Sequence, residues 1–202
     1  MSSSLPPASS SSNKILELEE QRSSALKSFN SKNRGRIDFE DGYVPVGIRF
    51  FPRDHQVIQP YLLSKILGTK HTPLYPIKDM DLSTFDPNDV VFDERCRANE
   101  TYFYAWLVNK RGKGMVQRVV TKRGYWEADG VDVPVYSDRE MKVMVGFKKN
   151  WTFYLGTEPE GQKSAWSMTE YRVNPRLIPA DQMNDDVKTR IVSYAVCKIT
   201  KA

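Results

Sequence analysis

The sequence predicts an α+β fold that is mainly β, an antiparallel sheet accompanied by a few short helices lying early in the chain. Three observations point to it. Past residue 100 the chain is a succession of strand-length runs rich in aromatic and β-branched residues, separated by Gly, Pro or charged turns, which is the pattern of an antiparallel sheet. Helical periodicity is confined to the region before residue 70. With 202 residues, 40% of them hydrophobic, there is material for one ordinary core and a tail, and no run approaches the roughly 18 apolar residues of a membrane-spanning helix.

Residues 1–12 are almost all Ser, Pro and Ala, too polar to offset the entropy of ordering. Residues 1–42 are therefore expected to be a disordered, Ser-rich extension, with a short helix possible at 14–29, where Ile15, Leu18, Arg22, Leu26 and Phe29 fall on one side of a wheel. The folded domain is expected at 43–200. Between Asp54 and Leu67 apolar residues recur at helical spacing and Gly68 stops them; a start near Gln59, with Pro60 at the first position, avoids the roughly 3 kcal/mol cost of an internal proline. Asp81-Leu82 and Asp86-Pro87-Asn88-Asp89 read as turns. Strands are expected at 102–108, 116–121, 143–148, 151–155, 166–173 and 191–199, with 174–190 as a surface loop. Tyr104, Trp106, Tyr154 and Trp166 are expected to be core aromatics.

The N-terminus has neither a basic n-region nor an apolar h-region, which argues against a secretory signal and for the cytosol or nucleus. Cys96 and Cys197, the only cysteines, are far apart with no His at ligand spacing, so neither a disulfide framework nor a metal site is expected. His55 and His71 have no carboxylate or thiol placed for catalysis, and no nucleophile elbow or phosphate loop occurs. The expectation is a protein that is not an enzyme, without metal or cofactor. The net charge of +5, from 30 basic and 25 acidic side chains, is only modestly basic. Its distribution is more informative. From Lys110 to Trp126 lie Lys110, Arg111, Lys113, Arg118, Lys122 and Arg123 with no acidic residue, followed by Tyr125-Trp126. Cations on a hairpin suit phosphate contacts beside a groove, and they equally suit a solvated hairpin with two aromatics turned inward.

The order of motifs carries the next step. Val44-Pro45-Val46-Gly47-Ile48-Arg49-Phe50-Phe51-Pro52 resembles the Leu-Pro-Pro-Gly-Phe-Arg-Phe-His-Pro opening of the NAC domain, a plant transcription factor family. Asp81-Leu82 with Pro87 and Asp89, and Glu100-Thr101-Tyr102-Phe103-Tyr104, are similar to its next two blocks. Gly124-Tyr125-Trp126-Glu127-Ala128-Asp129-Gly130-Val131-Asp132 resembles Gly-Tyr-Trp-Lys-Ala-Thr-Gly-Lys-Asp. Val145-Gly146-Phe147-Lys148-Lys149 with Phe153-Tyr154, Trp166-Ser167-Met168-Thr169-Glu170-Tyr171-Arg172 and Val196-Cys197-Lys198 resemble the remaining blocks, in the family's order.

The resemblance implies a twisted antiparallel sheet flanked by a few helices, nuclear localisation and sequence-selective binding of double-stranded DNA by a strand lying in the major groove. It also implies a homodimer, or a heterodimer with related NAC proteins, and no membrane. The implied DNA-binding residues are Arg118, Lys122, Arg123, Tyr125, Trp126, Lys148 and Lys149. The implied dimerisation residues are Val44, Gly47, Arg49 and Gln56, with Gln56 standing where the family has a glutamate that pairs with the first-block arginine. The departures fall on the groove strand and the following loop. Glu127, Asp129 and Val131 replace Lys, Thr and Lys, while Glu158 and Glu160 stand in a loop that is basic in the family. The expected penalty on DNA affinity is on the order of 2 to 4 kcal/mol. A NAC-fold protein-interaction or heterodimerisation module with weakened or lost DNA contact is thus the alternative. Because little sequence follows the last block, a repressor or heterodimer partner is expected over a self-sufficient activator.

Overall fold

The computed structural model describes residues 49–69, 75, 77–82, 84–106, 118–137 and 143–202. All of them belong to one compact unit, Asp41–Ala202. The expectations for residues 1–42, Val44, Gly47, His71, Lys110, Arg111 and Lys113 lie outside the described residues.

The first element, α1, is one helical run from Asp54 to Leu67: an α turn Asp54–Gln56, a π segment Val57–Leu63 and an α turn Ser64–Leu67. It starts five residues before Gln59, the start that avoided an internal proline. Pro60 lies inside the π segment. A proline in an α turn crowds the carbonyl four residues back and leaves it without a donor, and the wider π winding relieves both problems. The beginning is held by Gln56, whose Oε1 accepts the backbone N–H of Arg53 at 2.8 Å. Val57, Ile58, Tyr61, Leu62 and Ile66 form the buried stripe.

The strands are β1 (Lys78–Met80), β2 (Glu100–Trp106), β3 (Arg118–Val120), β4 (Gly124–Tyr136), β5 (Met144–Leu155), β6 (Gln162–Val173) and β7 (Tyr194–Lys201). They form a single seven-stranded sheet in the order β1-β2-β7-β6-β5-β4-β3. Every pairing is antiparallel except β1 with β2, which is parallel. That exception follows from the connection: the chain between Met80 and Glu100 is long enough to cross back over, and a tight hairpin would have forced the opposite sense. The runs expected as two strands, 143–148 and 151–155, are one continuous strand, β5.

Alternation decides which face each residue serves. On β7, Tyr194 and Val196 join the cluster beneath α1, whereas Cys197 and Ile199 join a second cluster with Trp126, Trp151, Phe153, Trp166 and Met168. Gly146 allows the first cluster to close. A Cβ there would lie 2.1 Å from Arg172 O and 2.9 Å from Ile58 Cδ1, so a larger residue would hold α1 off the sheet. Of the expected core aromatics, Tyr104 and Trp166 are buried and Tyr154 is half-buried. Trp106 is 42% exposed at the end of β2, edge-on to Tyr194.

The expected loop 174–190 contains two 3-10 turns, Pro175–Leu177 and Ala180–Gln182, and the start of a helix, α2 (Asp185–Ser193). Asn184 caps α2 by accepting the N–H of Val187 at 2.9 Å, and Asp185 and Asp186 stand in the first turn where the helix dipole favours negative charge. The last strand consequently begins at Tyr194 and not at Ile191.

Candidate nucleic-acid interface

The cations expected at the interface sit on the β3–β4 hairpin and along β5. Arg118, Val119 and Val120 pair with Glu127, Trp126 and Tyr125. The turn between the strands is closed by Thr121, whose N–H and Oγ1 both reach Gly124 O, at 2.8 and 3.1 Å. Lys122 and Arg123 are exposed on it.

Tyr125 and Trp126 do not share that exposure. Tyr125 is 3% exposed and Trp126 fully buried. Trp126 packs on Phe153 with ring centroids 5.0 Å apart, and Tyr125 stacks on Tyr154 at 5.3 Å. Both rings are taken up in packing within the fold. Lys149 is likewise buried, opposite Glu170 in the β5–β6 register and 5.5 Å from the Trp151 ring.

Three of the remaining cations, Arg118, Arg123 and Lys148, are engaged with carboxylates. Arg118 Nε donates to Glu127 Oε1 at 2.7 Å, and its Nη1 donates to Glu158 Oε1. Glu158 is delivered by the loop after β5, which is pinned to the hairpin where Tyr125 OH donates to Pro159 O at 3.3 Å. Glu127 and Glu158 together therefore neutralise Arg118. Arg123 reaches Asp86 Oδ2 at 3.5 Å and Asp89 Oδ1 at 3.4 Å. Asp86 is buried, and its Oδ1 accepts from Asn88 N at 2.9 Å to cap the Pro87–Asp89 turn, so Arg123 ties the hairpin to the Asp-Pro-Asn-Asp motif.

Lys148 donates to Asp54 Oδ2 at 2.7 Å, and Tyr171 OH donates to Asp54 Oδ1 at 2.7 Å, fastening α1 to the sheet. Burial would raise the Asp54 carboxyl, but the hydrogen bonds from Lys148 and Tyr171, with the charges of Lys148 and Lys198, lower it on balance. Among the described residues Lys122 is the exposed cation of this group with no carboxylate partner.

Between Asp129, opposite Asn150, and Val133, opposite Lys148, β4 carries three residues against a single one on β5. The two extra residues fall within Gly130, Val131 and Asp132, of which Gly130 and Val131 are exposed. Gly130 has φ 73°, a left-handed conformation that favours glycine. The carboxylates flanking Gly130 and Val131 are tied back, Asp129 Oδ2 accepting from Thr152 Oγ1 at 2.8 Å and Asp132 pairing with Arg172.

Arg49 and Gln56, expected at a dimer interface, are both exposed; Gln56 sits in the first turn of α1, with its side-chain oxygen committed to the helix start. What the sequence reading missed is the set of internal partners. Glu127, Glu158, Asp86, Asp89 and Asp54 were visible as charges, but which cation each one meets is set by register and loop path.

Comparison with known proteins places this arrangement in a family. The family described as No apical meristem (NAM) protein matches residues 45–173. Rice NAC domain-containing protein 45 is 34% identical over 176 residues, covering 79% of this chain and 47% of that protein. CUP-SHAPED COTYLEDON 1 of Arabidopsis thaliana is 36% identical over 144 residues, 71% of this chain and 46% of that protein. Transcription factor JUNGBRUNNEN 1 of Arabidopsis thaliana is 31% identical over 170 residues, 84% and 58% respectively. The chain spans about half the length of the curated relatives it matches. With the mainly β fold, the ordered motifs and these matches in agreement, the chain belongs to the plant NAC (NAM) transcription factor family.

Proposed function

We propose that this protein regulates transcription in the nucleus by binding double-stranded DNA through β4 and its bulge, as a homodimer or a heterodimer with related NAC proteins. The observation that carries the proposal is the shape of β4 and β5: two long paired strands with a bulge at residues 130–132 and exposed Lys122 and Arg123 at the turn before β4. A major groove admits a two-stranded ribbon of this kind, with phosphates meeting the cations beside it. Arg118, Arg123 and Lys148 reach phosphate only by exchanging a carboxylate for it, so autonomous affinity is modest and a dimer partner matters. Arg49 and Gln56, with Val44 and Gly47, supply that partner contact, and Gln56 keeps its amide N–H groups available as donors.

The test is fluorescence anisotropy of the full chain on duplex DNA across a salt titration. The proposal requires affinity that falls with salt and a loss of affinity in Lys122→Ala with Arg123→Ala. A second reading is favoured by Arg118 standing between Glu127 and Glu158. It holds that the fold is a protein-interaction module whose DNA contact has been neutralised. Absence of salt-sensitive binding in the wild type, restored by Glu127→Lys with Asp129→Thr, selects it.

A further inference from the structure

Val131 is 72% exposed, the middle one of the three residues in the β4 bulge and next to the left-handed Gly130, while most of the large apolar residues among those described are buried. Its surroundings are fixed. Asp129 is hydrogen-bonded to Thr152, Asp132 is paired with Arg172 and Glu127 is paired with Arg118. Each carboxylate of the strand is drawn sideways along the sheet, and the bulge carries no cation that would seek a phosphate or the acceptors of guanine. What the bulge exposes in Val131 is a rigid, β-branched pair of methyl groups.

We infer that Val131 is a specificity-determining residue that recognises the 5-methyl group of a pyrimidine in the major groove. The inference rests on the proposed groove binding and deepens it by naming what the bulge reads. In the major groove only thymine presents a methyl group on its edge among the ordinary bases, and apolar side chains distinguish it from cytosine and the purines by contact. A bulge of this shape brings an aliphatic group to the groove floor while the cations of the β3–β4 turn remain at the phosphates. 5-Methylcytosine presents the same methyl at the same ring position, so the two sources of the group share one recognition chemistry.

The experiment enriches short random duplexes on the 202-residue chain, resynthesises the selected site, and replaces each thymine in turn by deoxyuridine, which removes the methyl alone. Wild type and Val131→Ala are compared by anisotropy. One thymine-to-uracil change is expected to weaken wild-type binding about fourfold, the worth of one buried methyl group. The same change should have no effect on Val131→Ala, and cytosine followed by 5-methylcytosine at that position should reproduce the loss and the recovery. Binding that is insensitive to every uracil replacement, or a uracil effect that persists in Val131→Ala, overturns the inference while leaving DNA binding intact. Failure of the wild type to bind any duplex at low salt overturns the groove-binding function and the inference with it. Val131 is exposed, so its truncation leaves the fold unaffected, which a matched thermal melt verifies.

Discussion

Arg118 and Glu127 stand opposite each other in the β3–β4 register, and Arg118 Nε donates to Glu127 Oε1 at 2.7 Å. Glu158 approaches the same guanidinium from the loop after β5. An exposed pair of this kind adds little to stability. Its consequence is for a ligand, because an anion must displace two carboxylates to use Arg118. Glu127→Gln with Glu158→Gln should therefore increase affinity for duplex DNA roughly three- to tenfold near 0.1 M salt and steepen the salt slope by about 0.9, one phosphate contact. A salt titration that leaves the slope unchanged would show that Arg118 faces no phosphate.

Lys122 presents a simpler case, since no carboxylate holds it among the described residues. Lys122→Ala should weaken binding to all duplexes about equally and lower the salt slope by about 0.9. Sequence preference should survive. A change in preferred sequence, read by competition between selected and scrambled duplexes, would place Lys122 against a base instead.

Trp126 separates support from contact. Fully buried against Phe153, it should cost about 3 to 5 kcal/mol when replaced by Ala, seen in chemical denaturation. Trp126→Phe should lose much less and, at a temperature where it is fully folded, bind DNA as the wild type does. A large affinity loss in a folded Trp126→Phe would show that the indole reaches the ligand.

Gly146 sets how closely α1 approaches the sheet. A methyl at this position meets the backbone oxygen of Arg172 at 2.1 Å, which cannot yield without breaking the β5–β6 ladder. Gly146→Ala is expected to destabilise by at least 1 to 3 kcal/mol, measured as a lower denaturation midpoint with the slope unchanged. An unaltered midpoint would mean that the strands accommodate the methyl by a local shift.

Asp93 gives an acid sensitivity with a defined sign. Hydrogen bonds from Arg95, against the opposing effect of burial and with help from Tyr75, lower its carboxyl from 3.8 to about 2. Arg95 Nε lies 2.9 Å from Asp93 Oδ1, and Tyr75 OH lies 3.1 Å from Oδ2. The folded state binds this proton less readily than the unfolded state, so the stabilisation is complete above pH ~4 and lost as pH falls through about 2. After solvent screening it amounts to about 1 kcal/mol. Asp93→Asn should be less stable at pH 7 and should lack this component of acid destabilisation between pH 4 and 2, as followed by urea titrations at each pH.

The strands were legible in the sequence because alternation and aromatic content are local properties. The ordered motifs identified the fold family for the same reason: each block is a contiguous run with its own turn or strand chemistry. The misreadings were local rules overruled by context. Pro60 argued for a late helix start, yet α1 absorbs it in a π segment because five apolar side chains on the stripe are buried against the sheet. The Asp- and Asn-rich stretch before residue 190 looked like loop, although Asn184 followed by two aspartates is also a helix beginning.

By itself, the sequence determined that this chain forms a mainly β NAC-type domain, which strand carries the Gly-Tyr-Trp motif, and that acidic residues stand in that strand. Only the tertiary structure decided what those acids do. Arg118 and Glu158 are 40 residues apart, and Lys148 and Asp54 are 94 apart. Composition records the sign of each charge, but Coulomb attraction acts over a few ångströms in space, and only strand register, the curl of the sheet and the path of a loop bring such pairs within that range.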